Sequence, residues 1–225
     1  MTTRPSIIHR HRAVLTASVI GIFALIATCA MLFVKIAEEV REKDTLVFDK
    51  WALTTINDHS TVFLDRFMPI ATDVGGVVGI VVLVAVFGAI FLYRREHRRL
   101  AILCIGVGGA VLLNLILKAV FMRERPDLWV QLIHETGYSF PSGHAMSSAG
   151  LGFSLVVALW SSRWRWWAVG FATVYILFVG FSRLYLGVHY PTDVAAGWLV
   201  SAVWVLSVWL LLRSSIGARV IKRGV

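Results

Sequence analysis

Charge is scarce in this chain. Only 16% of its 225 residues are Asp, Glu, Lys or Arg, while 58% are hydrophobic; an ordinary soluble domain carries about 25% charged residues. A disordered chain needs the opposite balance and is excluded. Cysteine is scarcer still. Cys29 and Cys104 both lie inside apolar runs, which excludes a disulfide-stapled secreted domain. Acids are outnumbered, 13 against 22 basic residues, for a net charge of +9. No basic segment is both long and interleaved with exposed aromatics, so no nucleic-acid partner is expected. The class that remains is an integral membrane protein.

A spanning helix needs about 20 mostly apolar residues. Six runs qualify: 13–34, 74–93 (starting as early as Met68), 100–120, 145–160, 166–181 and 194–212. The fourth and fifth are short and are expected to extend into their flanks. The continuity of the runs predicts helices, because a membrane barrel would show alternating strands of about 10 residues. The first run follows a basic start, and Cys29 stands where a lipoprotein cysteine would. At 22 residues it exceeds the core of a cleaved signal, about 7–15 residues, so a retained helix is expected. The predicted fold is all-α, a polytopic bundle of six transmembrane helices forming one domain over residues 1–225.

Thirteen of the 22 basic residues fall in the two termini and in the short 94–99 and 163–165 loops, with one acid, Glu96. The other side holds nine basic residues and twelve acids. Positive charge marks the cytoplasmic side, so both termini are expected there, with three loops facing out. The longest outer segment, 35–73, carries Phe48, Trp51, Leu53, Ile56, Val62 and Phe63 among its charges. That mixture predicts one or two amphipathic helices on the outer membrane surface, with a solvated cap on the helix ends as the alternative. Trp160, Trp164, Trp166 and Trp167 flank an inner loop and are expected to form an interfacial belt. Pairs of small residues within the spans, such as Gly106 with Gly109 and Gly197 with Ser201, allow helices to approach closely.

By this topology the unusual polar residues collect at the outward helix ends: Lys118 and Arg125, then Ser142, Gly143 and His144, then Ser182 and Arg183, then His189 and Asp193. Each suits a phosphate ligand. Three cations meet its charge, two of them arginines whose planar fork matches phosphate oxygens. Ser142 and Gly143 precede a helix whose first N–H groups are unsatisfied, and such a helix start binds anions. Ser142 would cap that helix or donate its hydroxyl to the ligand. Asp193, four residues beyond His189, can accept from one imidazole nitrogen and leave the other as nucleophile. His144 is available as general acid and then base. His144, His189 and Asp193 would also serve as metal ligands, but three nearby cations would repel a metal, so no metal and no cofactor are expected. Arg123 is a further cation without an assigned role.

These residues form three spaced motifs: Lys118, six residues, Arg125-Pro126; Pro141-Ser142-Gly143-His144; and Ser182-Arg183, five residues, His189, three residues, Asp193. In them the sequence resembles the type 2 phosphatidic acid phosphatase family of membrane lipid phosphatases, over residues 118–193 by motif and across most of the chain by helix layout. The resemblance implies metal-independent hydrolysis of a lipid phosphate or diphosphate. His189 would form a phosphohistidine, Asp193 would orient it, and His144 would protonate the leaving group and then activate water. Lys118, Arg125, Ser142, Gly143, Ser182 and Arg183 would surround the phosphate. Soluble haloperoxidases and acid phosphatases share these motifs, but six spans argue against them. The likeness is nearest to small bacterial members acting on phosphatidylglycerophosphate or undecaprenyl pyrophosphate; phosphatidic acid is a third candidate. The alternatives are a phosphotransferase that moves phosphate from a polyprenyl diphosphate to another lipid, and a non-catalytic lipid-phosphate binding or transport protein.

Overall fold

A computed structural model describes residues 7–213, with side chains from Ser18 onward. The basic residues Arg4, Arg10, Arg12, Arg219, Lys222 and Arg223, which bear on the orientation of the termini, lie outside the described side chains. Every regular element among the described residues is helical: α1 (Ile7–Glu42), α2 (Leu46–Asp58), α3 (Val62–Thr72), a single 3-10 turn (Asp73–Gly75), α4 (Val77–Tyr93), α5 (His97–Phe121), α6 (Gly143–Leu159), α7 (Arg165–Tyr185) and α8 (Pro191–Arg213).

Among the described residues, four helices are long and apolar enough to cross a membrane: Ser18–Glu42 within α1, α5, α7 and α8. One further pair of helices passes the same test only when taken together. α3 and α4 meet at the 3-10 turn with a bend of 49°. A break at membrane depth frees backbone carbonyls that lipid cannot satisfy. Here Tyr175 donates its hydroxyl to the Val74 carbonyl at 2.8 Å, and Ser147 donates to that of Gly75 at 3.2 Å. The turn also lies hard against α7, since a Cβ at Gly75 would sit 2.3 Å from a Val179 methyl.

The fourth expected span, α6, has 17 residues. At about 1.5 Å per residue it falls short of the roughly 30 Å hydrocarbon layer. It tolerates this because it touches little lipid. α6 is the central helix, packed by α5, α7 and α8, and eleven of its residues are buried, from Ala145 to Ala158. Small residues permit that crowding. A Cβ at Gly106 on α5 would fall 2.1 Å from the Ser154 hydroxyl, and one at Gly197 on α8 would fall 3.1 Å from the Ala145 methyl. Close approach of this kind is the main source of helix association in lipid. The outer faces remain apolar: Val78, Val120, Val174 and Leu211 are all at least 60% exposed, a surface suited to acyl chains and not to water.

The 35–73 segment differs from the sequence expectation at its start. α1 continues eight residues past position 34 because its inward face stays apolar, with Ala37 and Val40 buried against Phe140 and Ala196. α2 and α3 then form the outer pair of short helices. Their outward sides carry Val47, Phe48 and Trp51 on α2 and Val62, Phe63 and Ile70 on α3, all exposed. The inward side of α2 buries Asp49 and Leu53. The four tryptophans from Trp160 to Trp167 are exposed around the α6–α7 turn, as an interfacial belt requires.

Candidate active site

The motif residues come from four helix ends and two loops. Lys118 lies in the last turn of α5. That helix stops at Met122, whose positive φ of 45° turns the chain. The 122–142 loop then crosses the helix ends, its strands tied by Ser139, whose N–H donates to the Arg123 carbonyl at 2.8 Å and whose hydroxyl donates to the Glu124 carbonyl at 3.0 Å. At the loop's end the Ser142 hydroxyl accepts the Ala145 N–H, capping α6, and its own N–H donates to the Asp193 carbonyl at 3.1 Å. The start of α6 and the first turn of α8 are thereby held together.

Close packing favours glycine at position 143. A Cβ there would lie 3.1 Å from the Asn114 side-chain oxygen. Asn114, buried one turn before Lys118 on α5, donates to the Pro141 carbonyl at 2.9 Å. The cap of α6 is therefore pinned from below as well as from the side.

His189 is almost fully buried in the short connection between α7 and α8. Its Nδ1 faces Asp193 Oδ2 at 3.4 Å, and its Nε2 lies 3.2 Å from an Arg125 nitrogen. An arginine can only donate, so Nε2 is the acceptor and the ring proton sits on Nδ1, toward Asp193. Burial, reinforced by Arg183, Arg125, Lys118 and His144, holds this imidazole well below the ordinary histidine range. It is neutral at pH 7, with its free lone pair on the nitrogen that faces the cations.

The cations are held differently from one another. Arg125 donates to the carbonyls of Gly137, Thr136 and Val188 at 3.0, 3.1 and 2.9 Å. Much of its fork thus staples the 122–142 loop to the His189 segment. Arg183 is fully buried. It donates to Thr72 at 2.7 Å and pairs with Glu135, while its Nε has no hydrogen-bond partner among the described residues. Glu135 also faces Arg125 at 3.6 Å. Burial alone would raise the Glu135 carboxyl, but Arg183, His144 and Arg125 carry it below the usual range. Ser182 turns to protein: its hydroxyl donates to the Val179 carbonyl at 2.7 Å and lies 3.2 Å from Thr72.

An apolar groove of about 720 Å³ runs between α4, α5 and α6. Val81, Val84, Cys104, Val107 and Val111 line it, and Asn114, Gly143 and His144 stand at its polar end. Among the described residues no group of three His, Cys, Asp or Glu side chains is placed to hold a metal ion.

The structure thus brings all nine sequence-predicted residues to one end of the bundle. Sequence reasoning missed Asp49, Thr72, Glu135 and Thr192, and left Arg123 without a role. Arg123 in fact bridges Asp49 at 2.7 Å and Asp193 at 2.6 Å. None of the missed residues belongs to a recognisable spacing. Asp49 is one acid among several in the 35–73 segment.

The comparisons agree with this architecture. The family model "PAP2 superfamily" matches residues 99–216, just over half of the chain. Phosphatidylglycerophosphatase B of Bacillus subtilis is 37% identical over 141 residues, 60% of this chain and 68% of that protein. The undecaprenyl-diphosphatase of Sulfolobus acidocaldarius is 35% identical over 124 residues, 52% of this chain and 57% of that protein. Among solved structures, the transmembrane PAP2-type phosphatidylglycerolphosphate phosphatase from Bacillus subtilis superposes with a TM-score of 0.73 at 26% identity, covering 81% of this chain and 93% of that one. LpxE of Aquifex aeolicus shares the fold, with a TM-score of 0.58 at 23% identity over 72% of this chain and 94% of that one. Every motif residue named from the sequence falls inside the matched 99–216 region, and with the fold shared along most of its length, this multi-pass membrane chain belongs to the PAP2 superfamily.

Proposed function

We propose that this chain is a lipid phosphatase that hydrolyses a phosphate or diphosphate ester at the outer face of a bacterial inner membrane, through a phosphohistidine on His189 and without a metal. Phosphatidylglycerophosphate and undecaprenyl pyrophosphate, named by its relatives, are the leading substrates, with phosphatidic acid a third. The observation that carries this reading is the junction at His144. An apolar groove open along α4 and α5 ends there, where the cations begin. A lipid phosphate has that same division into tail and head.

In the first step His189 Nε2 attacks phosphorus and a P–N bond forms. The bond from phosphorus to the leaving oxygen breaks, and His144 supplies the proton that this oxygen takes. In the second step His144 removes a proton from water, the resulting oxygen attacks phosphorus, and the P–N bond breaks to restore neutral His189. Asp193 keeps the Nδ1 proton in place and stabilises the cationic ring of the intermediate. Lys118, Arg183, Arg125 as it releases His189 Nε2 and Glu135, and the first N–H groups of α6 stabilise charge on the phosphoryl oxygens. Ser142 and Ser182 hold the backbone and Thr72 around them. The phosphate replaces the Glu135 carboxylate on Arg183.

A plug tests the groove. Val111→Trp is expected to lower turnover of long-chain lipid phosphates at least about tenfold and to leave a water-soluble phosphomonoester within about threefold. Equal loss on both substrates would contradict tail entry here.

A further inference from the structure

Arg123 lies outside the proposed phosphate cradle, yet it bridges two fully buried carboxylates. One nitrogen donates to Asp193 Oδ1 at 2.6 Å and to the Thr192 hydroxyl at 2.8 Å. The other donates to Asp49 Oδ2 at 2.7 Å. The guanidinium also lies 4.2 Å from the centre of the Tyr190 ring. Both aspartates are fully buried. Asp49 in turn accepts from Thr192 twice, from its N–H at 3.2 Å and from its hydroxyl at 2.7 Å. That N–H belongs to the first turn of α8, so a carboxylate carried by α2 caps the helix that carries Asp193.

We infer that Asp49 and Arg123 are positioning residues for the His189–Asp193 pair, and that α2 is the element that delivers Asp49 to the arginine. The geometry gives each carboxylate oxygen of Asp193 a separate duty. Oδ1 is fixed by Arg123, which leaves Oδ2 for His189 Nδ1 and the Tyr190 N–H. Asp49 shares the charge of Arg123. Without it the full guanidinium charge would fall on Asp193 and weaken the field that Asp193 exerts on the imidazole. The other charged groups acting on His189 are Arg183, Arg125, Lys118 and His144, and they are unchanged in the test below.

The inference rests on His189 as nucleophile, so the experiment includes His189→Ala. Purified wild type, Asp49→Asn, Arg123→Gln, Arg123→Lys and His189→Ala are compared for kcat, inhibition by inorganic phosphate, and the acid limb of the pH–rate profile. Asp49→Asn removes a negative charge and is expected to lower kcat about tenfold, to leave phosphate inhibition within about twofold, and to move the acid limb to lower pH. Arg123→Gln removes a positive charge and is expected to move the limb to higher pH. Arg123→Lys, which keeps the charge and loses the fork, lowers kcat without moving the limb. Limbs that stay fixed in both charge variants, or that move the same way, would overturn the inference, because a packing role predicts no opposed shifts. If Arg123→Gln does not purify as folded protein, Asp49→Asn against Arg123→Lys decides: a limb shifted downward in the first alone supports the inference, and any other pattern overturns it. Turnover surviving in His189→Ala would instead sink the proposed mechanism itself.

Discussion

Two arginines at the His189 end of this bundle share a sequence character and differ in circumstance. Arg123 sits between two buried aspartates, its fork filled by Asp49, Asp193 and Thr192. Arg183 is more deeply buried, yet it shares one partly exposed carboxylate, Glu135, with Arg125 and leaves its Nε unpaired among the described residues. A buried charge left without a partner is costly, so the partners decide what a cation can do. A guanidinium saturated by fixed carboxylates holds structure in place. One whose partner sits on a loop can exchange that partner for a ligand. His189 stands between the two regimes, with its proton toward the anionic side and its lone pair toward the cationic side.

The largest break in this comparison comes on the anionic side. Asp193→Asn is expected to lower kcat/KM by about 10²–10⁴, and a change under about threefold would count against the pairing with His189. On the cationic side, Arg183→Gln should cost about 10²–10³ and abolish inhibition by inorganic phosphate; intact phosphate inhibition would place the phosphate elsewhere. The groove offers a milder test. Cys104 is exposed and lines it, so maleimide labelling should slow lipid turnover about tenfold, spare a soluble phosphomonoester, and have no effect on Cys104→Ala. Glu135→Gln weakens the competitor for Arg183, and inhibition by phosphate should tighten about threefold; weaker inhibition would show that Glu135 supports the anion instead. Chelator should change nothing, and activity lost to chelator and restored by zinc or magnesium would revive a metal mechanism.

What could be read in advance follows from how far each signal extends along the chain. α5, α7 and α8 announce themselves because a membrane helix is a continuous apolar run, and the structure moves their ends by only a few residues. The motifs are legible because short spacings at helix ends convert directly into proximity. The bend between α3 and α4 is not legible: it depends on Tyr175 and Ser147 receiving the freed carbonyls, and those residues lie on other helices. The continuation of α1 to Glu42 is hidden by its charges, since among residues 35–42 the inward packing falls to Ile36, Ala37 and Val40. Asp49 is the hardest case. It meets Thr192 across 143 positions, and no local pattern separates it from the acids that face water.

The account stands or falls on His189 as the group that takes the phosphate. Purified, detergent-solubilised protein in chelator should release inorganic phosphate from undecaprenyl pyrophosphate, phosphatidylglycerophosphate or phosphatidic acid, and His189→Ala, still folded, should release none. Release that persists undiminished in His189→Ala would contradict the mechanism, and wild-type protein that releases phosphate from no lipid, even though it transfers labelled phosphate to an added acceptor lipid, would show a phosphotransferase in its place.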